Sequence, residues 1–238
     1  MNLEPEPDAA SRCTPPLASL GHTSALVGVM LAVALTGTLL QHFGASSVSA
    51  ARAGAGTAGI VRYFPLLLVN GLLVLYVARL FRPRNVLPQL LGRPVRTLTD
   101  AAVDLLYASL SFFLICLLEV LMRPLFAGRN AAVSALLPST EAERLTWVLV
   151  ASVVGFCEEV VYRGYLRAQL GALTRSSAWG IILQAVLFGL SHLEQGAGAA
   201  LRNGGYGLIL GVLAQRRASL WPGIACHIGI DLAGGLLR

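Results

Sequence analysis

The sequence predicts an all-α, polytopic integral membrane protein of about seven transmembrane helices, within a range of six to eight. Composition is the first reason: hydrophobic residues make up 55% of the 238 and charged ones only 13%, with a mean hydropathy of +0.69. Soluble domains carry about 25% charged residues, so a water-soluble globular fold does not suit this chain. The second reason is that apolar runs of roughly 20 residues, the length that crosses a bilayer, recur along it. The third is charge placement. The net charge of +6 comes from 18 arginines and no lysine, and they fall between the apolar runs instead of forming a nucleic-acid-binding face.

The N-terminus, MNLEPEPDAASRCTPP, is acidic and proline-bearing where a signal peptide would be basic, so residues 1–22 are read as a disordered cytoplasmic tail. Residues 23–122 hold the N-terminal transmembrane helices. The first span, Thr23 to Leu40, has no formal charge, and the second, about Ile60 to Leu80, lies between Arg62 and Arg79, whose side chains can snorkel to the headgroups. A loop with Arg79, Arg82, Arg84, Arg93 and Arg96 is broken by Pro83, Pro88 and Pro94 and cannot be one helix. The third span, about Ala101 to Met122, carries Asp104 and Glu119 toward its ends. A cytoplasmic N-terminus in the cell membrane puts Arg12, the five loop arginines, Arg163, Arg167, Arg175, Arg216 and Arg217 inside, a modest positive-inside excess. An embedded segment between Met122 and Ser139 would alter that count. Cys13, Cys116, Cys157 and Cys226 have neither CxxC spacing nor the density of a disulfide scaffold.

Ionisable residues lie well inside the apolar segments of residues 145–238. GFCEEVVYRGYL puts Glu158, Glu159 and Arg163 on a helix from about Leu145 to Leu173. Glu159 and Arg163, one turn apart, can pair, which leaves Glu158 without a counter-charge in its own helix. The run Ser176 to Leu193 contains FGLSH, with Phe188 and His192 on one helical face. A turn near Thr174 and Arg175 sets His192 at the depth of Glu159. Between these motifs and the next, Gly207 and Gly211 form a small-xxx-small pair for close helix packing. SLWPGIACHIGIDLAGG starts a helix near Pro222 and places His227 and Asp231 on one face.

Glu158, His192, His227 and Asp231 can therefore converge in one cavity, where they can bind a divalent metal such as zinc or activate a water directly. Phe188 is read as packing that keeps the site dry. Glu194 and Asp104, near span ends, are read as solvated. Asn70 and Glu119 suit interhelical hydrogen bonds or a substrate path, and His22 and His42 flank the first span. The same embedded Glu, His and Asp residues would also suit a proton- or cation-coupled transporter, although no internal duplication is visible.

The motifs EEVVYR, FGLSH and HIGID, in that order, resemble the EExxxR, FxxxH and HxxxN/D pattern of the type II CAAX prenyl protease and bacteriocin-processing (CPBP) family of intramembrane proteases. The similarity covers about Thr146 to Leu237. It implies an endopeptidase core in residues 145–238 that cleaves a membrane-tethered peptide or protein and has no nucleic-acid partner. By that resemblance, Glu158 and His192 activate the attacking water, His227 and Asp231 support the oxyanion, and Glu159 and Arg163 hold the helix geometry. Members are commonly called metalloproteases, which makes Glu158, His192, His227 and Asp231 the ligands of any zinc. Many members have Asn where this chain has Asp231. An ionised Asp cannot donate to an oxyanion, so here it is protonated, orients His227 or ligates a metal.

Overall fold

A computed structural model of the chain describes residues 15–43, 61–80, 86–125, 134 and 136–237. Arg12, Cys13, Arg82, Arg84 and most of the stretch between Met122 and Ser139 lie outside these. Among the described residues every regular element is a helix, as the composition predicts.

Helix α1 (Leu20–Phe43) begins ahead of the expected Thr23. The Ser19 hydroxyl accepts from the His22 N–H at 3.4 Å, and Leu17 and Ala18, expected within the disordered tail, donate to Gln169 Oε1 at 2.6 and 3.1 Å. Helix α2 (Phe64–Leu80) has Pro65 in its first turn, where the missing N–H costs nothing. The basic loop contains a short helix α3 (Val86–Leu91). Helix α4 (Leu98–Met122) is capped by Thr97, which accepts from the Asp100 N–H.

Helix α5 runs from Glu141 to Thr174 and starts earlier than Leu145 because Thr140 and Glu143 form a capping box. Its middle, Glu159–Leu166, is π-helical, flanked by α-helical Glu141–Glu158 and Arg167–Thr174. Arg175 then turns the chain in a left-handed conformation (φ 54°), and Ser176 caps helix α6 (Ser177–Leu190). A short 3-10 turn (Leu193–Gln195), helix α7 (Ala197–Arg217) and helix α8 (Trp221–Leu236) complete the chain.

Among the described residues, three helical stretches are long and apolar enough to cross a membrane: Leu20–Leu40, Leu98–Met122 and Glu141–Thr174. Phe64–Leu80 and Ser177–Leu190 are apolar but shorter. Only 17% of the most apolar window of α4 is buried, and Leu105, Leu106, Phe113, Val120 and Leu121 project outward from it. A surface of that kind suits lipid and not water.

Two sequence expectations are corrected by packing. Asp104, expected to be solvated, is buried and accepts from Arg217 Nε and Nη2 at 2.9 and 2.5 Å, joining α4 to the end of α7. Arg62, expected to snorkel toward the headgroups, is tied inward: it lies 3.1 Å from the buried Glu143 carboxylate and 5.0 Å over the Tyr63 ring. A charge inside an apolar fold is retained where a partner reaches it.

Glycines set the helix spacing around the core. At Gly207 an added Cβ would lie 2.8 Å from Ala185 Cα, and at Gly211 2.5 Å from Gln184 Nε2, so α6 and α7 approach backbone to backbone along the expected small-residue stripe. Gln184, fully buried, donates across this seam to the Gly207 carbonyl at 2.8 Å. At the base of α8, Arg93 N–H donates to Ala218 O at 2.8 Å and Leu220 N–H to Leu91 O at 2.9 Å. Every residue of the π-helical segment is buried in the resulting core. Replacing Gly207 with Leu is expected to destabilise the purified protein by about 1–3 kcal/mol through overpacking. Gly28→Leu, where nothing lies within 4 Å, should leave the thermal midpoint in detergent nearly unchanged.

Candidate active site

The site is built on the π-helical stretch. Its i→i+5 bonding, completed by Arg167 N–H to Tyr162 O, carries Glu159 and Arg163 into the interior with both side chains at 0% exposure. Arg163 Nη1 lies 3.1 Å from Glu159 Oε1, the expected pair. The guanidinium also lies 4.2 Å over the Phe188 ring, so a carboxylate and a π face share the cation. From α8, His227 donates through Nδ1 to Glu159 Oε1 at 2.9 Å. Gly223, one turn earlier, leaves the room this needs, because a Cβ there would sit 2.9 Å from Glu159 Oε2.

With Nδ1 so engaged, the other nitrogen of His227 faces the adjacent carboxylates: Nε2 is 3.6 Å from Glu158 Oε2 and 3.9 Å from Asp231 Oδ2. His192 lies just beyond the end of α6, not on its helical face as the spacing suggests, because the helix closes at Leu190. Its ring still returns to Phe188, with centroids 4.7 Å apart and Nδ1 2.7 Å from the Phe188 carbonyl. A carbonyl only accepts, so Nδ1 carries the proton and Nε2 has the free lone pair. Ser191 braces the turn, donating to Phe188 O at 2.9 Å and accepting from Tyr162 Oη at 2.7 Å. Phe188 stands between the two imidazoles, 2% exposed and 5.9 Å from the His227 ring.

Glu158, Phe188, His192, His227 and Asp231 all line one cavity of about 280 Å³, while Glu159 and Arg163 lie behind its wall. The four expected residues are thus brought to one space by α5, the end of α6 and α8. Other lining residues carried no recognised motif. Trp147, Val150 and Val154 form an apolar side on α5, and Gln195, Asn203 and Tyr206 a polar one. Glu194, expected in solvent, also lines the cavity, with its Cβ 3.2 Å from where a side chain on Gly37 of α1 would begin. Glu119 accepts from Tyr206 Oη at 2.6 Å and pairs with Arg202 at 3.1 Å, the interhelical role open to it from sequence. Asn70 instead donates to Leu66 O in its own helix.

Imidazole and carboxylate donors suit zinc by type. Among the described residues, however, no three His, Cys, Asp or Glu side chains gather into a metal-ligand set.

Glu159→Gln or Arg163→Leu alone strands a buried charge and should cost about 3–5 kcal/mol. The double substitution is expected to cost clearly less than the sum, a difference readable by denaturant titration in detergent.

Residues 140–233 match the family described as type II CAAX prenyl endopeptidase Rce1-like. Comparison with curated proteins and with solved structures gives no match. The matched stretch takes in the capping residue of α5, the π-helical turn, the His192 turn and α8 as far as Ala233. This C-terminal stretch, which holds Glu158, His192, His227 and Asp231 of the cavity, is thus similar to the Rce1-like family of CAAX-type endopeptidases.

Proposed function

We propose that the protein is an intramembrane endopeptidase that hydrolyses peptide bonds of membrane-tethered peptide or protein substrates with a water activated by Glu158 and His192. The observation that carries this reading is the meeting of Glu158, His192, His227 and Asp231 in one cavity inside the family-matched stretch. Glu158, unlike Glu159, reaches that cavity and is free of the Arg163 pairing, which suits it to take the proton of the water. The free Nε2 of His192 orients the same water. As the hydroxyl oxygen bonds to the scissile carbonyl carbon, the charge on the carbonyl oxygen is met by His227, whose Nε2 faces the cavity while Glu159 holds its other nitrogen. Asp231 stabilises the protonated form of that ring. The C–N bond then breaks as the proton held by Glu158 passes to the leaving amine.

Tyr162, Phe188 and the Glu159–Arg163 pair position these groups without touching substrate. The apolar wall of Val150, Ala151 and Val154 suits a hydrophobic segment beside the scissile bond, and the lipid-facing surfaces of α4 and α5 suit an enzyme that meets its substrate in the bilayer. About seven spans, a cytoplasmic N-terminus and residence in the cell membrane complete the reading. The match of residues 140–233 to a protease family favours cleavage over ion transport by the same residues.

Membranes with equal amounts of wild type and Glu158→Gln should differ in new peptide termini read by terminus-selective mass spectrometry. Termini that vanish in the variant mark the cleavage sites, and identical sets of termini would overturn the reading. A metal chelator added to the same membranes should leave those termini in place, whereas their loss, restored by zinc, would assign the cavity residues to a metal.

A further inference from the structure

Trp147 lies on the cavity-lining face of α5, about 16 Å along the helix axis from Glu158. Its indole N–H donates to the backbone carbonyl of Asp231 at 2.9 Å. One turn further along α8, Gly235 lies directly against the indole, so that an added Cβ would overlap Nε1 and Cε2. A glycine there and an N–H donor opposite form a fitted pair, and no other residue type at 235 would let the ring reach the 231 carbonyl. Behind Trp147 stands Tyr63, 1% exposed, its ring edge-on at 5.7 Å. Tyr63 is held in turn by Arg62, which pairs with Glu143 in the first turn of α5.

A hydrogen bond to a helix carbonyl from a neighbouring helix restricts rotation of that helix about its axis. Asp231 and His227 share the cavity face of α8 one turn apart, so the rotation that Trp147 restricts is the one that sets both side chains toward Glu158. We propose that Trp147 is a positioning residue for Asp231, that Gly235 is the residue that admits it, and that Tyr63, outside the family-matched stretch, braces it. The N-terminal half of the chain thereby takes part in the site through the turn that leads into α2. The inference rests on the reading that the cavity performs hydrolysis with Asp231 as a participant.

The test uses the full chain in membranes and a fluorogenic peptide spanning a cleavage site mapped by the wild type against Glu158→Gln comparison. Trp147→Phe keeps an aromatic ring but removes the N–H donor together with the five-membered ring that carries it. It should lower kcat roughly 10- to 100-fold with KM nearly unchanged, as displacement of a reacting group by a fraction of an ångström does. In an Asp231→Asn background the same substitution should cost less than about twofold, because the two residues act through one another. Gly235→Ala, which displaces the indole without altering it, should reproduce the kcat loss and serves if Trp147→Phe does not accumulate. Tyr63→Leu should give a smaller loss of the same kind.

Wild-type kcat in both Trp147→Phe and Gly235→Ala would overturn the proposal, as would losses that multiply with Asp231→Asn. A change confined to KM would make Trp147 a substrate contact and overturn it equally. Cleavage that persists in Glu158→Gln is a separate result: it removes the hydrolytic reading itself, whereas Glu158-dependent cleavage with a neutral Trp147 removes only this inference.

Discussion

Glu159 and Arg163 lie 3.1 Å apart with neither side chain reaching solvent, and His227 closes the group from a second helix at 2.9 Å. Moving a carboxylate and a guanidinium out of water costs several kcal/mol each, recovered only when each finds its partner in good geometry. Among the described residues, Glu159 Oε2 and the Arg163 nitrogens make no well-aligned hydrogen bond. Charge attraction and the Phe188 face therefore carry the balance. The surrounding core is arranged to keep this group together: Val160, Val161, Tyr165 and Leu166 close around it, and Gly223 brings α8 near enough for His227 to reach in.

The two adjacent carboxylates divide along that line. Glu159 is committed to Arg163 and His227 and becomes part of the frame, while Glu158, one residue earlier, turns into the cavity. Neighbouring residues on a helix point about 100° apart, which is enough to put one carboxylate behind the wall and the other on it. His227 spans both environments, one nitrogen on the frame and the other toward Glu158 and Asp231. A proton relocated on the cavity side is thus felt by the frame, which links the chemistry of the site to the packing of α5 against α8.

Much of this was legible from spacing. Glu159 and Arg163 at i and i+4, His227 and Asp231 at the same interval, and the turn at Arg175 required only helix arithmetic. The π-helical stretch was not legible, because no residue type marks an i→i+5 turn and the stretch is held by tertiary burial of Tyr162, Tyr165 and Arg163. His192 was placed on a helix that in fact ends two residues earlier, its ring being kept in place by the Phe188 carbonyl and not by helix periodicity. Asp104 and Glu194 were assigned to solvent and Arg62 to the headgroups because a charge near a span end usually finds water or lipid phosphate; the partners of Asp104 and Arg62 lie 113 and 81 residues away in sequence, beyond the reach of local pattern. Trp147 carried no signal because its partner is a backbone carbonyl, a group that every residue has.

Helix α6 has 14 residues, about 21 Å of rise, against a hydrocarbon core of roughly 30 Å. Non-helical backbone at membrane depth is tolerated only where protein or a water-filled cavity covers it, and the turn that follows α6 carries His192 into just such a cavity. The shortfall would be met by thinning of the lipid beside α6, at a cost that grows with each ångström of mismatch. In a bilayer, a helix this short would leave the His192 turn below one face, where water has a shorter path to the cavity.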